Sequence, residues 1–219
     1  MNKIPTREQA INYLQEAYDA NPRHYPWHYH CVNVAMLSQK LAELANLDVE
    51  RAFISGLLHD IGRRFSYSNH TFEGERRAHE ILGHEFLDEQ GYPLIGRICL
   101  THSFQNSNIE DGITKEVFFN NSQDLAKVQK FMQANGLDDY DRLIQLCDIL
   151  ARFDGFKTIE ASLQGVKDMY GCSQGFELKE ENLYKLKQYF DELCGRDVYE
   201  VAREVTRSDW SNFDMNSLQ

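Results

Sequence analysis

Proline is scarce in this sequence, with only four residues in 219, and sustained strand-like alternation of apolar and polar residues is absent. The prolines all lie where a helix can start or in loops, so none interrupts a helical pattern. Apolar residues recur instead at helical spacing through most of the chain. The sequence therefore predicts an all-α protein, with one domain spanning residues 1–219.

Paired cysteines, a signal sequence and a long apolar run are also lacking. The five cysteines are odd in number and form no CxxC pair, which argues against a disulfide framework or a thiolate zinc site. Residues 1–6 carry no basic segment followed by an apolar core, and no run approaches the roughly 20 apolar residues that span a bilayer. We expect a cytoplasmic protein with no membrane partner.

Positive charge is in short supply: 23 lysines and arginines face 34 acidic residues, for a formal net charge of −11. A negative field opposes binding to a nucleic-acid backbone, so we expect no nucleic-acid partner. A small phosphorylated ligand stays compatible with this charge, because divalent cations reverse the sign of the field inside a pocket.

Helix-stop and helix-cap residues divide the chain into segments. Thr6 and Asp48 are suitable N-caps, and Gly62, Gly91 and Gly195 are suitable stops. We predict helices over about residues 7–20, 30–47, 49–62, 72–90, 94–103, 123–135 and 138–153, and two more from residue 177. Residues 103–122, rich in Asn, Ser, Asp and Gly, are predicted to form a long loop of the kind that often carries function.

Six ionisable residues interrupt the apolar helical segments, where an unpartnered polar group is costly to bury. These residues are His30, His59, Asp60, His79, His102 and Asp148. Imidazole nitrogen combined with carboxylate oxygen suits a divalent transition metal, with Mn and Fe favoured and Zn, Co and Ni possible. Four of the residues, His30, His59, Asp60 and Asp148, are predicted to hold one ion. With Asp60 bridging, His79 and His102 are predicted to hold a second ion about 3.5–4 Å away.

The other histidines are weaker candidates. His28 precedes His30 by two residues in a proline-flanked segment, and His84 follows His79 by five, so it lies on another face of the helix. His24 and His70 lie in predicted connections, where His70 is a candidate for substrate contact. None of these four is included in the predicted ligand set.

The ordered set of motifs resembles the HD superfamily of metal-dependent phosphohydrolases. The matching segments are HCVNVA at His30, LLHDIG at His59 and Asp60, and LCDILA at Asp148, within about residues 29–154. HEILGHEFL at His79 and ICLTHS at His102 are similar to the helices that supply the extra ligands in two-metal members. The nearest pattern is that of the diadenosine tetraphosphate hydrolases.

Three features depart from related patterns. Arg63 stands where many relatives have a lysine, and Ser103 follows His102 where a second histidine is common. A Gly-Tyr-Pro triplet at residues 91–93 precedes His102, whereas in cyclic-dinucleotide phosphodiesterases it follows paired histidines. The substrate is therefore not specified by the resemblance.

The resemblance implies a helical-bundle core over about residues 22–160 with additional C-terminal helices over about 175–215. It implies hydrolysis of a small phosphorylated or nucleotide-like substrate by a metal-activated water. Asp60 is the residue predicted to bridge the ions or orient the water, and Arg63 is predicted to stabilise developing phosphate charge. Arg64 and Lys115 are alternatives for that second role. The sequence gives no prediction of whether the protein is a monomer or an oligomer.

Two other functions fit the same ligand set. A di-iron oxygenase of the same superfamily would use the metals for O₂ chemistry, and a regulatory module would bind a nucleotide without turnover. Resemblance in fold does not choose between them.

Overall fold

The computed structural model describes residues 3–20, 26–65, 78–105, 122–170 and 176–219. These residues form ten α-helices, one two-stranded antiparallel hairpin and two short 3₁₀ helices. The α-helices are α1 (Arg7–Ala20), α2 (Trp27–Leu44), α3 (Val49–Leu58), α4 (His79–Glu89), α5 (Pro93–Thr101), α6 (Ser122–Asn135), α7 (Asp139–Leu150), α8 (Ile159–Tyr170), α9 (Phe176–Cys194) and α10 (Val198–Val205). The hairpin pairs β1 (Ala151–Arg152) with β2 (Gly155–Phe156), and the 3₁₀ helices cover Ile61–Phe65 and Met215–Leu218. None of the described helices combines the length and apolarity that crossing a membrane requires.

The all-α prediction is confirmed, and its capping signals act as expected. The Asp48 side chain accepts a hydrogen bond from the backbone N–H of Arg51. Asp138, which was not predicted as a cap, forms a capping box at the start of α7. Gly195 adopts φ +64° between α9 and α10, a left-handed conformation that favours glycine.

Several predicted boundaries differ from the structure. Ala78 has extended backbone, so the helix that contains His79 begins at that residue rather than at residue 72. The predicted helix over 138–153 ends at Leu150, because Gly155 at φ +101° turns the following residues into the hairpin. Helix α8 was not predicted, and most of the predicted 103–122 loop, together with Lys115, His24 and His70, lies outside the described residues.

Three apolar clusters hold the helices together, and α2 contributes to two of them. One cluster joins α2 and α7 to the C-terminal helices, a second joins α2 and α3 to α1, and a third packs α6 against α4 and α5. Cys31, Cys99 and Cys147 are fully buried in this core. The residues predicted to bind metal lie at or near helix ends: His30 in the first turn of α2, His59 and Asp60 just after α3, His79 at the start of α4, His102 just after α5 and Asp148 near the end of α7.

Two glycines allow the closest approaches between elements. A Cβ on Gly56 of α3 would lie 2.7 Å from the Ala35 Cα of α2. A Cβ on Gly62 would lie 1.9 Å from the carbonyl oxygen of His79 and 2.5 Å from the backbone nitrogen of Gly83. The prediction that Gly62 ends a helix is therefore wrong. Gly62 lies within the 3₁₀ helix and allows that helix to contact α4 directly.

The C-terminal segment after α10 is fixed to α2 by one buried amide. Asn33 donates hydrogen bonds to the carbonyl oxygens of Arg152 (2.7 Å) and Arg207 (2.8 Å), and it accepts one from the Arg207 N–H (2.8 Å). Trp210 stacks on Tyr29 at 4.4 Å and donates to the Phe153 carbonyl oxygen. The segment and the hairpin are therefore anchored one helical turn from His30.

Replacing Asn33 by alanine is expected to lower the free energy of unfolding by about 3 kcal/mol, because buried backbone groups lose their partners. Denaturant unfolding measures the loss. Asn12→Ala, at an exposed position of α1, is the matched control and should change stability by less than about 0.5 kcal/mol. Equal stability of the Asn33→Ala variant and the original chain would contradict the proposed anchoring.

Candidate metal centre

His30 lies in the first turn of α2 and is held from both sides of its ring. Its Nδ1 lies 2.6 Å from the carbonyl oxygen of Ala151, and its Nε2 lies 2.9 Å from Oδ1 of Asp148. A carbonyl oxygen accepts hydrogen bonds and never donates them, so Nδ1 carries the ring proton. In the neutral ring, Nε2 therefore presents a lone pair toward Asp148.

His59 caps the C-terminus of α3 and is fully buried. Its Nδ1 lies 2.7 Å from the carbonyl oxygen of Gly56, so the proton is again fixed on Nδ1. Its Nε2 lies 3.3 Å from Nε2 of His30 and 3.4 Å from Oδ1 of Asp148. Helices α2, α3 and α7 thus bring two imidazole nitrogens and one carboxylate oxygen together.

A second group of ligand atoms forms on the other side of Asp60. The Asp60 Oδ1 atom lies 2.9 Å from Nε2 of His79 and 3.6 Å from Nε2 of His102. His102 caps the C-terminus of α5, where its Nδ1 lies 2.9 Å from the carbonyl oxygen of Cys99. The buried amide of Gln145, which bonds the carbonyl oxygens of Thr101 and Phe104, holds this helix end against α7.

All six predicted ligands are therefore brought together, in two groups that share Asp60. His30, His59 and Asp60 offer three ligand atoms within 4.8 Å of one another, and so do Asp60, His79 and His102. Asp148 joins the first group through its contacts with His30 and His59. The ligand role of each residue remains a prediction.

The chemistry of these atoms fits a divalent metal. Three rings have Nδ1 on a backbone carbonyl, so three Nε2 lone pairs converge on two carboxylates. Acceptors facing acceptors repel one another unless a cation or a proton lies between them. Backbone acceptors on the distal ring nitrogen are also a general feature of histidines that bind metals. The centre is suited to a divalent metal on these grounds.

The electrostatics agree with a strongly polarised centre. Burial alone would raise the pKa of both carboxylates. Arg63, His59 and His79 outweigh burial at Asp60 and hold its pKa well below the usual range, and His30 and His59 do the same at Asp148. Burial lowers the pKa of His59, and Asp60 and Asp148 outweigh it to raise that pKa. Burial lowers the pKa of His102 to about 4. The carboxylates are therefore ionised and His102 is neutral at pH 7.

The two neighbouring arginines have different positions. Arg63 forms an ion pair with Oδ2 of Asp60, which places its guanidinium at the centre. Arg64 instead lies over the ring of Phe86, with 4.6 Å between its guanidinium carbon and the ring centroid. Of the two, only Arg63 is placed beside the predicted ligands, and its role toward substrate stays a prediction.

Sequence reasoning missed Arg152, which follows Asp148 by four residues. The Arg152 guanidinium makes no hydrogen bond or ion pair within the described part of the chain. Its charge adds to the effect of burial in lowering the pKa of His30. The spacing of one helical turn from a candidate ligand was the available signal, but the hairpin that positions Arg152 was not predicted.

Of the weaker histidine candidates, His28 and His84 are among the described residues, and both lie outside the two ligand groups. His28 packs between the rings of Tyr18 and Tyr29, at centroid distances of 3.8 and 3.9 Å, and belongs to neither ligand group. His84 packs 6.1 Å from the ring of Phe131 and belongs to neither ligand group. Their exclusion from the predicted ligand set agrees with these positions.

Comparisons with known proteins match this region. A family model described as HD domain matches residues 27–152. Two curated relatives named Ribonuclease Y, from Mycoplasma capricolum subsp. capricolum and Mycoplasma mycoides subsp. mycoides SC, are each 25% identical over 150 residues. The alignment covers 68% of this chain and 26% of each relative, so the chain spans about a quarter of their length. No solved structure shows a significant match.

Proposed function

Because the chain belongs to the HD-domain family, we propose that it is a metal-dependent hydrolase of phosphoric esters or anhydrides in a small, nucleotide-like substrate. The observation that carries the proposal is the pair of His/Asp groups that share Asp60. We propose that the centre binds two ions. Fe or Mn is the metal that this combination of imidazole nitrogen and carboxylate oxygen ligands favours. A cytoplasmic location is part of the proposal.

The side chains around the centre would divide the work. His30, His59, Asp60 and Asp148 would hold one ion, and Asp60, His79 and His102 the other. When bound, divalent ions polarise phosphoryl oxygens and lower the pKa of a bound water. Arg63 fixes the orientation of Asp60 through its ion pair.

Substrate access is favoured on the Asp148 side. The Asp148 side chain is 21% exposed, whereas those of His59 and Asp60 are at most 2% exposed. Arg152, four residues away, supplies a positive charge whose guanidinium has no carboxylate partner in the described chain. We infer that Arg152 binds a substrate phosphate there, alongside the predicted role of Arg63.

The name of the two relatives raises RNA as a substrate. Their names describe ribonucleases, but this chain aligns with only 26% of each of them. The formal net charge of −11 opposes binding to an extended phosphate backbone. We therefore propose a small substrate, and an RNA oligonucleotide belongs in the test as a competing outcome.

The test is elemental analysis of protein purified without chelators, combined with assays on phosphomonoesters, dinucleoside polyphosphates and an RNA oligonucleotide. We expect two transition-metal ions per chain and release of phosphate or nucleotide. His59→Ala and Asp148→Asn should each reduce turnover by about 100-fold or more, because each removes a ligand. His84→Gln, which replaces a histidine outside the centre, is the matched control and should retain activity.

Other results would overturn the proposal in distinct ways. Protein grown with ample metal that carries no transition metal would exclude the metal centre. Iron-dependent O₂ consumption without phosphate release would identify the oxygenase alternative. Nucleotide binding with no turnover on any substrate would identify the regulatory module.

A further inference from the structure

The turn that carries His102 lies just beyond the end of a helix. Helix α5 ends at Thr101, and His102 is its C-cap, so this candidate ligand lies where the regular helical bonds run out. Two backbone bonds remain: the N–H of His102 donates to the carbonyl oxygen of Ile98, and the N–H of Phe104 donates to that of Thr101. The other bonds that hold the turn come from α7.

Gln145 of α7 bonds both sides of this turn through one amide nitrogen. Its Nε2 donates to the carbonyl oxygen of Thr101 at 2.8 Å and to that of Phe104 at 2.7 Å. These carbonyls lie one residue before and two residues after His102. Because both partners are acceptors only, the side-chain atom that faces them is the amide nitrogen and not the amide oxygen. One side chain thus fixes both ends of the turn.

Packing alone does not account for an amide at this position. Gln145 is fully buried, as are its neighbours Ile144 and Leu146. Its Oε1 makes no hydrogen bond within the described residues. A buried polar group with an unpaired acceptor contributes less to stability than an apolar side chain of the same shape can. What distinguishes Gln145 from an apolar residue is therefore its pair of bonds to the turn.

Helix α7 connects this turn to the first ligand group. Asp141, Gln145 and Asp148 are spaced by four and three residues, so they lie along one face of the helix. Asp141 accepts a hydrogen bond from Oγ1 of Thr101 at 2.7 Å and forms an ion pair with Arg97 of α5. Asp148 belongs to the first ligand group. The same face of α7 therefore anchors the end of α5 and carries a predicted ligand.

The position of the turn determines where the His102 ring points. Its Nδ1 lies 2.9 Å from the carbonyl oxygen of Cys99, which ties the ring to the backbone of α5. Its Nε2 lies 3.6 Å from Oδ1 of Asp60. A movement of the end of α5 would therefore move Nε2 away from Asp60.

We propose that Gln145 is a positioning residue for the second metal ion, holding the turn at Thr101 and Phe104 so that Nε2 of His102 faces Asp60. This role rests on the proposed function. Residues that orient a metal ligand from behind typically change metal affinity by about 10–100-fold. Gln145 acts through the backbone of the turn, so we expect an effect at the lower end of that range.

The experiment is calorimetric titration of chelator-treated protein with Mn²⁺, which gives a dissociation constant for each ion. Gln145→Met keeps the length of the side chain and removes the amide donor. In this variant the second Kd should rise about 10-fold, while the first stays within about 2-fold of that of the original chain. The first ion is spared because His30 and His59 lie on other helix ends, where backbone carbonyls fix them.

Hydrogen exchange in the metal-free protein tests the contact itself. The amide hydrogen of Phe104, which donates to the Thr101 carbonyl oxygen, should exchange faster in Gln145→Met because the turn is held less firmly. The amide hydrogens of α1 should exchange at the rate of the original chain. A change confined to the turn separates local loosening from a general loss of stability.

Two further variants are controls. Gln188→Met, the same substitution at an exposed position of α9, should leave both constants unchanged. Leu183→Ala removes buried apolar contacts from α9, which carries none of the predicted ligands. It should lower the melting temperature without changing the ratio of the two constants. If Gln145→Met does not fold, Gln145→Asn provides the same ratio, because it keeps the amide on a side chain one methylene shorter.

The possible failures are distinguishable. If the original chain binds fewer than two Mn²⁺ ions, the proposed two-metal centre is wrong, and with it the role of Gln145 toward a second ion. If the original chain binds two ions and Gln145→Met leaves both constants unchanged or weakens both equally, only the positioning role of Gln145 is wrong.

Discussion

Gly62→Ala is expected to reduce the metal content from two ions per chain to one. The new Cβ would lie 1.9 Å from the carbonyl oxygen of His79 and 2.5 Å from the backbone nitrogen of Gly83. Both atoms belong to the backbone, so the 3₁₀ helix and α4 must move apart. That movement separates Asp60 from His79, whose ligand atoms are 2.9 Å apart. The first ion should remain, because His30, His59 and Asp148 are held by α2, α3 and α7.

Elemental analysis at a fixed free Mn²⁺ concentration measures this change. Overpacking of this kind also costs about 1–3 kcal/mol of stability, which a thermal melt reports separately. Gly165→Ala is the control, because its Cβ would meet nothing within 4 Å on helix α8. The control should keep both ions, and its free energy of unfolding should rise by up to about 1 kcal/mol because alanine has a higher helix propensity than glycine. If folded Gly62→Ala binds two ions tightly, the close approach of Gly62 to α4 is not what positions Asp60 beside His79.

The features that the sequence predicted correctly depend on local interactions. Helix α1 and the capping role of Asp48 follow from residues within one or two helical turns. The six candidate ligands were recognisable because each is ionisable within an apolar segment. Apolar periodicity places such residues on inward faces, and that is where the structure brings them together.

The features that were missed depend on contacts between distant segments. Asn33 bonds residues 119 and 174 positions away, and Ser103 bonds Glu80 across 23 positions. The start of α4 at His79 was misplaced because helix propensity continues through the residues before it, whereas the extended Ala78 ends the pattern.

Metal binding is expected to raise the melting temperature of chelator-treated protein by about 5–11 °C at a free metal concentration of 100 times Kd. Binding at that concentration stabilises the folded state by about 2.7 kcal/mol, and each kcal/mol shifts the midpoint by about 2–4 °C in a chain of this size. The unfolded chain has no comparable site, because the ligands come from five separate helices or helix ends. Mn²⁺ or Fe²⁺ should produce the shift, and Mg²⁺ at the same concentration should produce little, since Mg²⁺ prefers oxygen ligands.

Asp60→Asn should abolish the shift, because Asp60 is the one ligand common to both groups. The shift is measured within each variant, with and without metal, so a change in the metal-free melting temperature does not affect the comparison. Asp168→Asn, an exposed change of the same kind on α8, should keep the full shift. A shift that survives in Asp60→Asn would place the stabilising metal outside this centre. If the metal-induced shift in melting temperature disappears in Asp60→Asn and is only reduced in Gly62→Ala, two ions are bound through one shared carboxylate.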